Sequence, residues 1–350
     1  MALDDYLADV GTRRQIMIQR FANGTLEELR PILNNLLEEL SQRIATTGQS
    51  RARLGKLMAE VESLIQAAGG EINQGLRQRI LDFAEDETAF QQSMYREVTD
   101  VETTLPTNEQ LEAAIMGKAT ELVVGAETQR MTVDSMVQRF STSNAKEIKN
   151  TISGGFIAGD TTDQITQRVR QKVTGRTAAQ ARTVVATAVN HAATEAKEQF
   201  ARQNSDVVRG EKYLATLDSR TTLTCAGFDG EVFPVGEGPK PPLHYNCRST
   251  RVIVPTEGSL LDGLEGERPA VVDGEAQIVS GNKTFRGWLR DQPVEFRDEF
   301  FGKFQNGREK RLLFDQGGLD PNDFIDSSGA QMTLAELRDK HPLAFQQAGL

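Results

Sequence analysis

Cys225 and Cys247 are the two cysteines of a 350-residue chain, and His244 stands three positions before the second of them. Thiolate sulfur and neutral imidazole nitrogen are the donors a zinc ion favours, and the two-residue gap in His244-Tyr245-Asn246-Cys247 is that of a metal knuckle. Asp218 or Asp229 could add an oxygen donor. The ligand set read from the sequence is therefore Cys225, His244 and Cys247, with Asp218 as the fourth. Two other arrangements use the same residues: buried free thiols beside a hydrogen-bonded histidine, or a Cys225–Cys247 disulfide. A chain so poor in cysteine looks built for a reducing cytoplasm, which weighs against the disulfide. Metal and buried thiols both stay open. His191 and Glu195 form a second pair of chemical type, four apart on one helix face. Their type and spacing fit a structural hydrogen-bonded pair better than a ligand or acid–base pair.

The elements that must position these residues begin with a strand over 211–217. Asp229-Gly230 between β-formers predicts a hairpin over 228–233, and 249–254 reads as a further strand closed by Pro255. Pro241-Pro242 fixes an extended approach to His244. The three ligand-type residues meet only if the hairpin folds back toward the Pro-Pro loop. The small antiparallel sheet has a natural support in the alanine-rich helix over 178–200, whose small side chains permit close approach and a central position.

The regions on either side have a different character. Residues 4–124 carry helical stripes such as Leu26, Leu29, Leu33, Leu36, Leu37 and Leu40. Thr25 to Glu28 reads as a capping box that starts a helix, with Pro31 implying a kink or a later start. Gly69-Gly70 reads as the break after the next stripe. Few aromatics anchor these helices, so they read either as a bundle or as arms that dock onto partner helices, with self-association a further use. Ser143 to Glu147 offers another helix start. Gly159 closes that helix, and 160–164 caps the following one. Downstream, 256–282 reads as a linker or an irregular excursion, with 259–283 as the linker proper. The tail over 284–350 is dense in aromatics, with Phe285, Trp288 and Leu289 on one face, a helix opened by Pro293, a turn at Ser328-Gly329 and a capping box at Thr333 to Glu336. It reads as a small aromatic core. The fold class is α+β, divided into helices over 1–126, an α+β unit over 127–258, the linker, and the small C-terminal helical domain.

Net charge is −10, with an isoelectric point near 5.1. That gives no general support for nucleic-acid binding, whose footprint is basic. The clearest local basic set is Arg168, Arg170, Lys172, Arg176 and Arg182, the face that would touch DNA. No apolar run predicts a membrane span, and the N-terminus lacks the pattern of a secretory signal. Phosphate-loop, dinucleotide, nucleophile-elbow and H-E-x-x-H motifs do not occur. A metal-dependent hydrolase or transferase on this chain would draw its general base from Asp218, Asp229 or Glu231.

The pattern D-S-R-T, then C-x2-F-D-G-x-V-F, then P-P-L-H-x-N-C-R-S resembles the phage Mu F-like head morphogenesis family, the minor head or minor capsid proteins of tailed phages. The matching positions are Cys225, Gly230, Pro241, Pro242, His244, Cys247 and Arg248, with Ser249 where the family usually has a further Cys. The helical segments A-G-D-T-T-D-Q-I-T-Q-R-V and A-R-T-V-V-A-T-A-V-N are similar to the lead-in of that domain, and the resemblance covers roughly 140–258. It implies a structural virion component near the portal, present in few copies, with portal and major capsid proteins as partners. It further implies a role in head assembly, and in DNA packaging or ejection, after assembly in the host cytoplasm.

Overall fold

The longest apolar stripes become the longest elements. In the computed structural model, which describes residues 3–47, 51–124, 127–256, 266–272, 274–327 and 329–350, helix α1 spans Leu3–Thr46 and α2 spans Arg51–Thr99. A short helix α3 (Asn108–Gly117) follows, then an antiparallel pair, β1 (Thr120–Val124) and β2 (Glu127–Met131). Next come α4 (Val133–Ala158) and α5 (Thr162–Lys172). A π-helical turn over Val173–Thr177 joins α5 to the alanine-rich helix α6 (Ala178–Gln203).

The expected sheet forms from β3 (Val208–Leu214), β4 (Val232–Phe233) and β5 (Thr250–Pro255), in the order β4-β3-β5 and antiparallel throughout. Between β3 and β4 lies the one-turn helix α7 (Leu223–Phe228). The tail holds α8 (Phe285–Arg290), α9 (Val294–Phe301), α10 (Phe304–Asp315), a 3-10 turn at Pro321–Phe324, α11 (Leu334–Lys340) and α12 (Pro342–Ala348). Its aromatics close on one another: Phe301 lies 4.7 Å from Phe324 and 5.4 Å from Phe314, ring centre to ring centre. The architecture is α+β.

Several local signals lose to tertiary packing. The Thr25 capping box does not start a helix, because α1 already runs through it. Ile18 and Ala22 on the preceding turns are buried in the same core as Leu26, so continuing the helix gains more burial than capping it. Pro31 sits inside that helix without ending it. Gly69-Gly70 does not break α2. A Cβ at Gly69 would meet the Ser141 hydroxyl at 2.0 Å, so glycine here permits the close approach of α2 to α4. Helix α4 begins at its cap Thr132 rather than near Ser143, and β1–β2 interrupts a stretch read as helical. In the stretch read as linker, 257–265 lie outside the described residues. The rest forms β6 (Glu267–Val272) paired with β7 (Glu275–Ser280). Val271 donates its N–H to Leu217, and Arg268 is buried against Asp229, so this hairpin is docked rather than free. Ser328 lies outside the described residues, while Gly329 takes a positive φ beside it.

Helix α6 is the common wall. Ala188, Ala192, Ala193 and Ala196 are fully buried. They share one core with Ile18 of α1, Leu76 and Ile80 of α2, Ile115 of α3 and Met136 of α4. The N-terminal helices thus bury their stripes inside the chain. Further along, α1 lies on the sheet, where a Cβ at Gly11 would meet Val252 Cγ1 at 2.2 Å and Leu214 Cδ1 at 2.8 Å. Gly11→Val should therefore destabilise the protein by about 1–3 kcal/mol. Gly24→Ala, on the same helix in open space, should stabilise by about 0.5–1 kcal/mol. Urea unfolding of both variants checks this, and equal midpoints would refute the close contact.

Candidate metal centre

Two segments bring the ligand-type residues together. Cys225 lies on α7, which begins where the Thr222 side chain accepts the Cys225 N–H. His244 and Cys247 lie in the loop that leads into β5. Cys225 Sγ is 3.2 Å from His244 Nε2 and 3.7 Å from Cys247 Sγ. All three donor atoms fall within 4.8 Å of one another. Both cysteines are free and buried, so the disulfide is not the arrangement present. Tyr213 of β3 donates its hydroxyl hydrogen to Cys225 Sγ at 3.3 Å.

The predicted hairpin over 228–233 is not what converges them. Phe228 is the last residue of α7, and Gly230 carries a positive φ just after it. The Asp229 carboxylate accepts N–H groups from Ala215 and Phe285, both at 2.7 Å, and pairs with Arg268 at 2.8 Å. An Asp-Gly pair that reads as a β-turn is here a helix exit whose aspartate ties three segments together.

The loop of His244 and Cys247 is clamped from two sides. On one side, β1 takes hold of it: Val123 N–H donates to the Leu243 carbonyl at 2.7 Å, and the Thr120 hydroxyl to that of Pro242 at 3.0 Å. On the other, α6 presents Thr183, Thr187 and Asn190. Asn190 donates to the carbonyls of Cys247 at 2.9 Å and Ser249 at 3.3 Å, and Thr187 accepts the Asn246 N–H at 3.3 Å. These clamp residues escaped the sequence reading. The signal was present, since the polar side chains at 183, 187 and 190 repeat at helical spacing among the alanines and valines of the helix.

Asp218 does not join the sulfurs. Its carboxylate is engaged by the Arg248 guanidinium through both terminal nitrogens, one at 2.7 Å, and by the Arg220 N–H at 3.0 Å. Burial raises the Asp218 carboxyl, and the hydrogen bond and charge of Arg248 outweigh that and hold it below its ordinary value. A carboxylate so occupied orients Arg248. His191 also has a structural place, with Nε2 against the Ile115 carbonyl at 3.0 Å, while Glu195 pairs with Lys118 at 2.6 Å. Burial lowers the His191 pKa.

The donor chemistry fits a metal ion. Two sulfurs and one imidazole nitrogen face a common point, and His244 Nδ1 is 3.0 Å from the Tyr245 carbonyl, an outer contact that orients Nε2 toward the sulfurs. The Cys225–His244–Cys247 cluster can hold a metal through these three atoms. The thiols behave as a coupled pair. Burial pushes Cys247 up, but hydrogen bonds from Cys225 and from the backbone at Leu243 and Ser249 outweigh it and bring it down to about 7. The hydrogen bond to Cys247, with burial, drives Cys225 the other way. Burial opposes the charged His244, but its hydrogen bond to the Cys225 sulfur raises it.

Residues 146–252 match the family described as Phage Mu protein F like protein, which assigns this segment to the phage Mu F-like family. The match runs from within α4 into β5 and covers less than half of the chain. No curated protein and no solved structure matches. The family suggests a phage head morphogenesis protein with a structural role and capsid-related partners. Among the described residues no helix is long and apolar enough to cross a membrane.

The thiol pair gives a pH prediction for the metal-free protein. Cys247 titrates at about 7 in the folded state against an ordinary 9.0. A lowered value contributes stability above the ordinary pKa, and that contribution is lost as pH falls through the folded one. Taken alone, Cys247 makes stability rise between pH 7 and 9, by an upper bound on the order of 2–3 kcal/mol, while the raised His244 works against it, its contribution being lost as pH rises above 6.5 through its folded value. The raised Cys225 acts only above its ordinary 9.0, so it does not cancel the effect in this window. Thiolate absorbance should show one step near pH 7 that Cys247→Ser abolishes. A step near 9 in the folded protein would overturn the assignment.

Proposed function

We propose that the protein is a minor head protein of a tailed phage. In this reading it is a low-copy virion component that acts near the portal in head assembly, and in DNA packaging or ejection, after assembly in the host cytoplasm. The observation that carries the reading is the match over 146–252 together with the way its most specific block is built, from Cys225 on α7 to Arg248 beside Asp218. The unit 127–258 is then the head-morphogenesis domain, 1–126 supplies the helices that meet the portal and major capsid proteins, and 284–350 is an accessory aromatic module. Self-association through the outer faces of α1 and α2 belongs to the same proposal. Two of the three carboxylates that a metal-dependent hydrolase or transferase would recruit as a base are committed elsewhere, Asp218 to Arg248, and Asp229 to Arg268 and two backbone N–H groups, while Glu231 meets the Asn322 side chain at 3.4 Å. That supports a structural role for the cluster.

Purified heads provide the test. Quantitative mass spectrometry should find the chain in far fewer copies than the major capsid protein, and a reconstruction without imposed symmetry should place it at the portal vertex. A chain spread over the whole shell, or absent from heads and virions, would refute the proposal.

We further propose zinc as the ion at Cys225, His244 and Cys247, acting as a staple. Metal binding in such sites is folding free energy, so Cys247→Ser should cost several kcal/mol, about 3 or more. A chelator should loosen residues 213–255 in hydrogen exchange and leave α2 protected. Less than roughly 0.2 zinc per chain in protein purified without chelator, with both thiols titrating after unfolding, would rule the ion out.

A further inference from the structure

Beside the Cys225–His244–Cys247 cluster, on the side toward α1, lies a cleft of about 910 Å³. Four arginines reach it from four separate segments: Arg30 of α1, Arg182 of α6, Arg220 of the β3–α7 loop and Arg248 of the loop before β5. No aspartate or glutamate lines it. In a chain of net charge −10 that is a marked segregation of sign. Arg248 is fixed and its charge offset by Asp218, which binds both of its terminal nitrogens and also lies in the field of Arg220. Arg30 is tied to Glu27 on its own helix. Arg182 and Arg220 are both exposed, and neither forms a salt bridge with a described residue. The basic run read from the sequence behaves differently: Arg168 pairs with Asp160, and Lys172 and Arg176 pair with Glu147. Of that set, Arg182 alone turns into the cleft. One wall is the π-helical turn between α5 and α6, a distortion that recurs at functional sites.

We infer that this cleft binds a phosphate group, with Arg182 and Arg220 supplying exposed guanidinium groups outside any salt bridge with a described residue and Arg248, whose fork is held by Asp218, a fixed donor at the edge. Guanidinium groups match phosphate oxygens in geometry and carry their charge at every physiological pH. Arginines converging from separate elements suit an anion of concentrated charge, which a phosphate provides and a single carboxylate does not. The volume is that of a small-ligand site rather than of an extended groove, which favours a nucleotide or the phosphorylated end of a strand over an acidic peptide. Asn246 and Thr222 line the cleft as neutral partners for the rest of such a ligand.

Calorimetric titration of the full chain tests this with four probes: inorganic phosphate, a nucleoside triphosphate, a single-stranded oligonucleotide with and without a 5′-phosphate, and an oligoglutamate peptide. At least one phosphate-bearing probe should bind, and the 5′-phosphate should strengthen oligonucleotide binding. Affinity should fall as salt rises. Arg182→Gln and Arg220→Gln should each weaken binding about tenfold, while Arg170→Gln, on α5 outside the cleft, should not. The order of triphosphate and phosphorylated strand identifies the source of the phosphate. Both arginines are exposed, so the variants should keep the wild-type melt. Arg182→Lys and Arg220→Lys, which retain charge without the fork, should give intermediate affinity and provide a second measurement should a Gln variant unfold. The inference is overturned if no phosphate probe binds, if the substitutions leave binding unchanged, or if oligoglutamate binds more tightly than every phosphate probe.

Discussion

The constraint on which the rest depends is the burial of α6 from Thr187 to Glu198. A helix can be surrounded at close range only if its side chains are small, and Ala188, Ala192, Ala193 and Ala196 meet that condition. Close approach leaves little room for water, so polar groups the helix carries inward are costly unless they find a protein partner. Lys197 is 3 % exposed and lies 3.7 Å from Glu87 of α2, which also takes Arg14 of α1 at 2.8 Å. Asn190 and Thr187 spend their polarity on the loop of Cys247. One helix thus fixes the N-terminal pair on one face and the candidate metal loop on another.

That arrangement explains what could and could not be read from the sequence. The capping boxes at Thr161 and Thr333 were legible because a cap is a contact within one turn, and both are made. The strand over β5 and the aromatic tail core were legible from composition. The Thr25 box and the Gly69-Gly70 pair misled because their local meaning was overruled by neighbours distant in sequence: Leu76 and Ile80 for the first, Ser141 for the second. The metal ligands themselves were readable as a set because donor type is a property of single residues. Their fourth partner was not, since whether Asp218 faces a sulfur or a guanidinium depends on where Arg248 lands.

The cleft arginines mark the limit of linear reading. Arg30, Arg182, Arg220 and Arg248 share no motif and no spacing, and only the crossing of α1 over α6 and the loops beside it makes them neighbours. The overall acidic charge, read as weighing against nucleic-acid contact, conceals this local reversal. A mean charge bounds the long-range field of a molecule, whereas a small cleft responds to the few groups within a Debye length of it, about 8–10 Å at moderate salt.

The segment that matches the family does not hold its own site together. Cys225 and Cys247 share one apolar cluster with Phe285, Trp288, Phe301, Phe314 and Phe324 of the tail, all outside residues 146–252. The contacts are specific as well as apolar. The Thr224 hydroxyl donates to the Gly329 carbonyl at 2.7 Å, the Trp288 indole N–H to that of Val271 at 2.8 Å, and buried Arg268 meets Asp229 at the exit of α7. Helix α7 spans only Leu223–Phe228, far too short to be stable by itself, so the position of Cys225 rests on this support. A buried pair such as Arg268–Asp229 gains from its geometry only while both partners are present, and losing one leaves an uncompensated charge in the core. Geometry at the Cys–His–Cys cluster is therefore set by the tail and the β6–β7 hairpin as much as by the motif that carries the ligands.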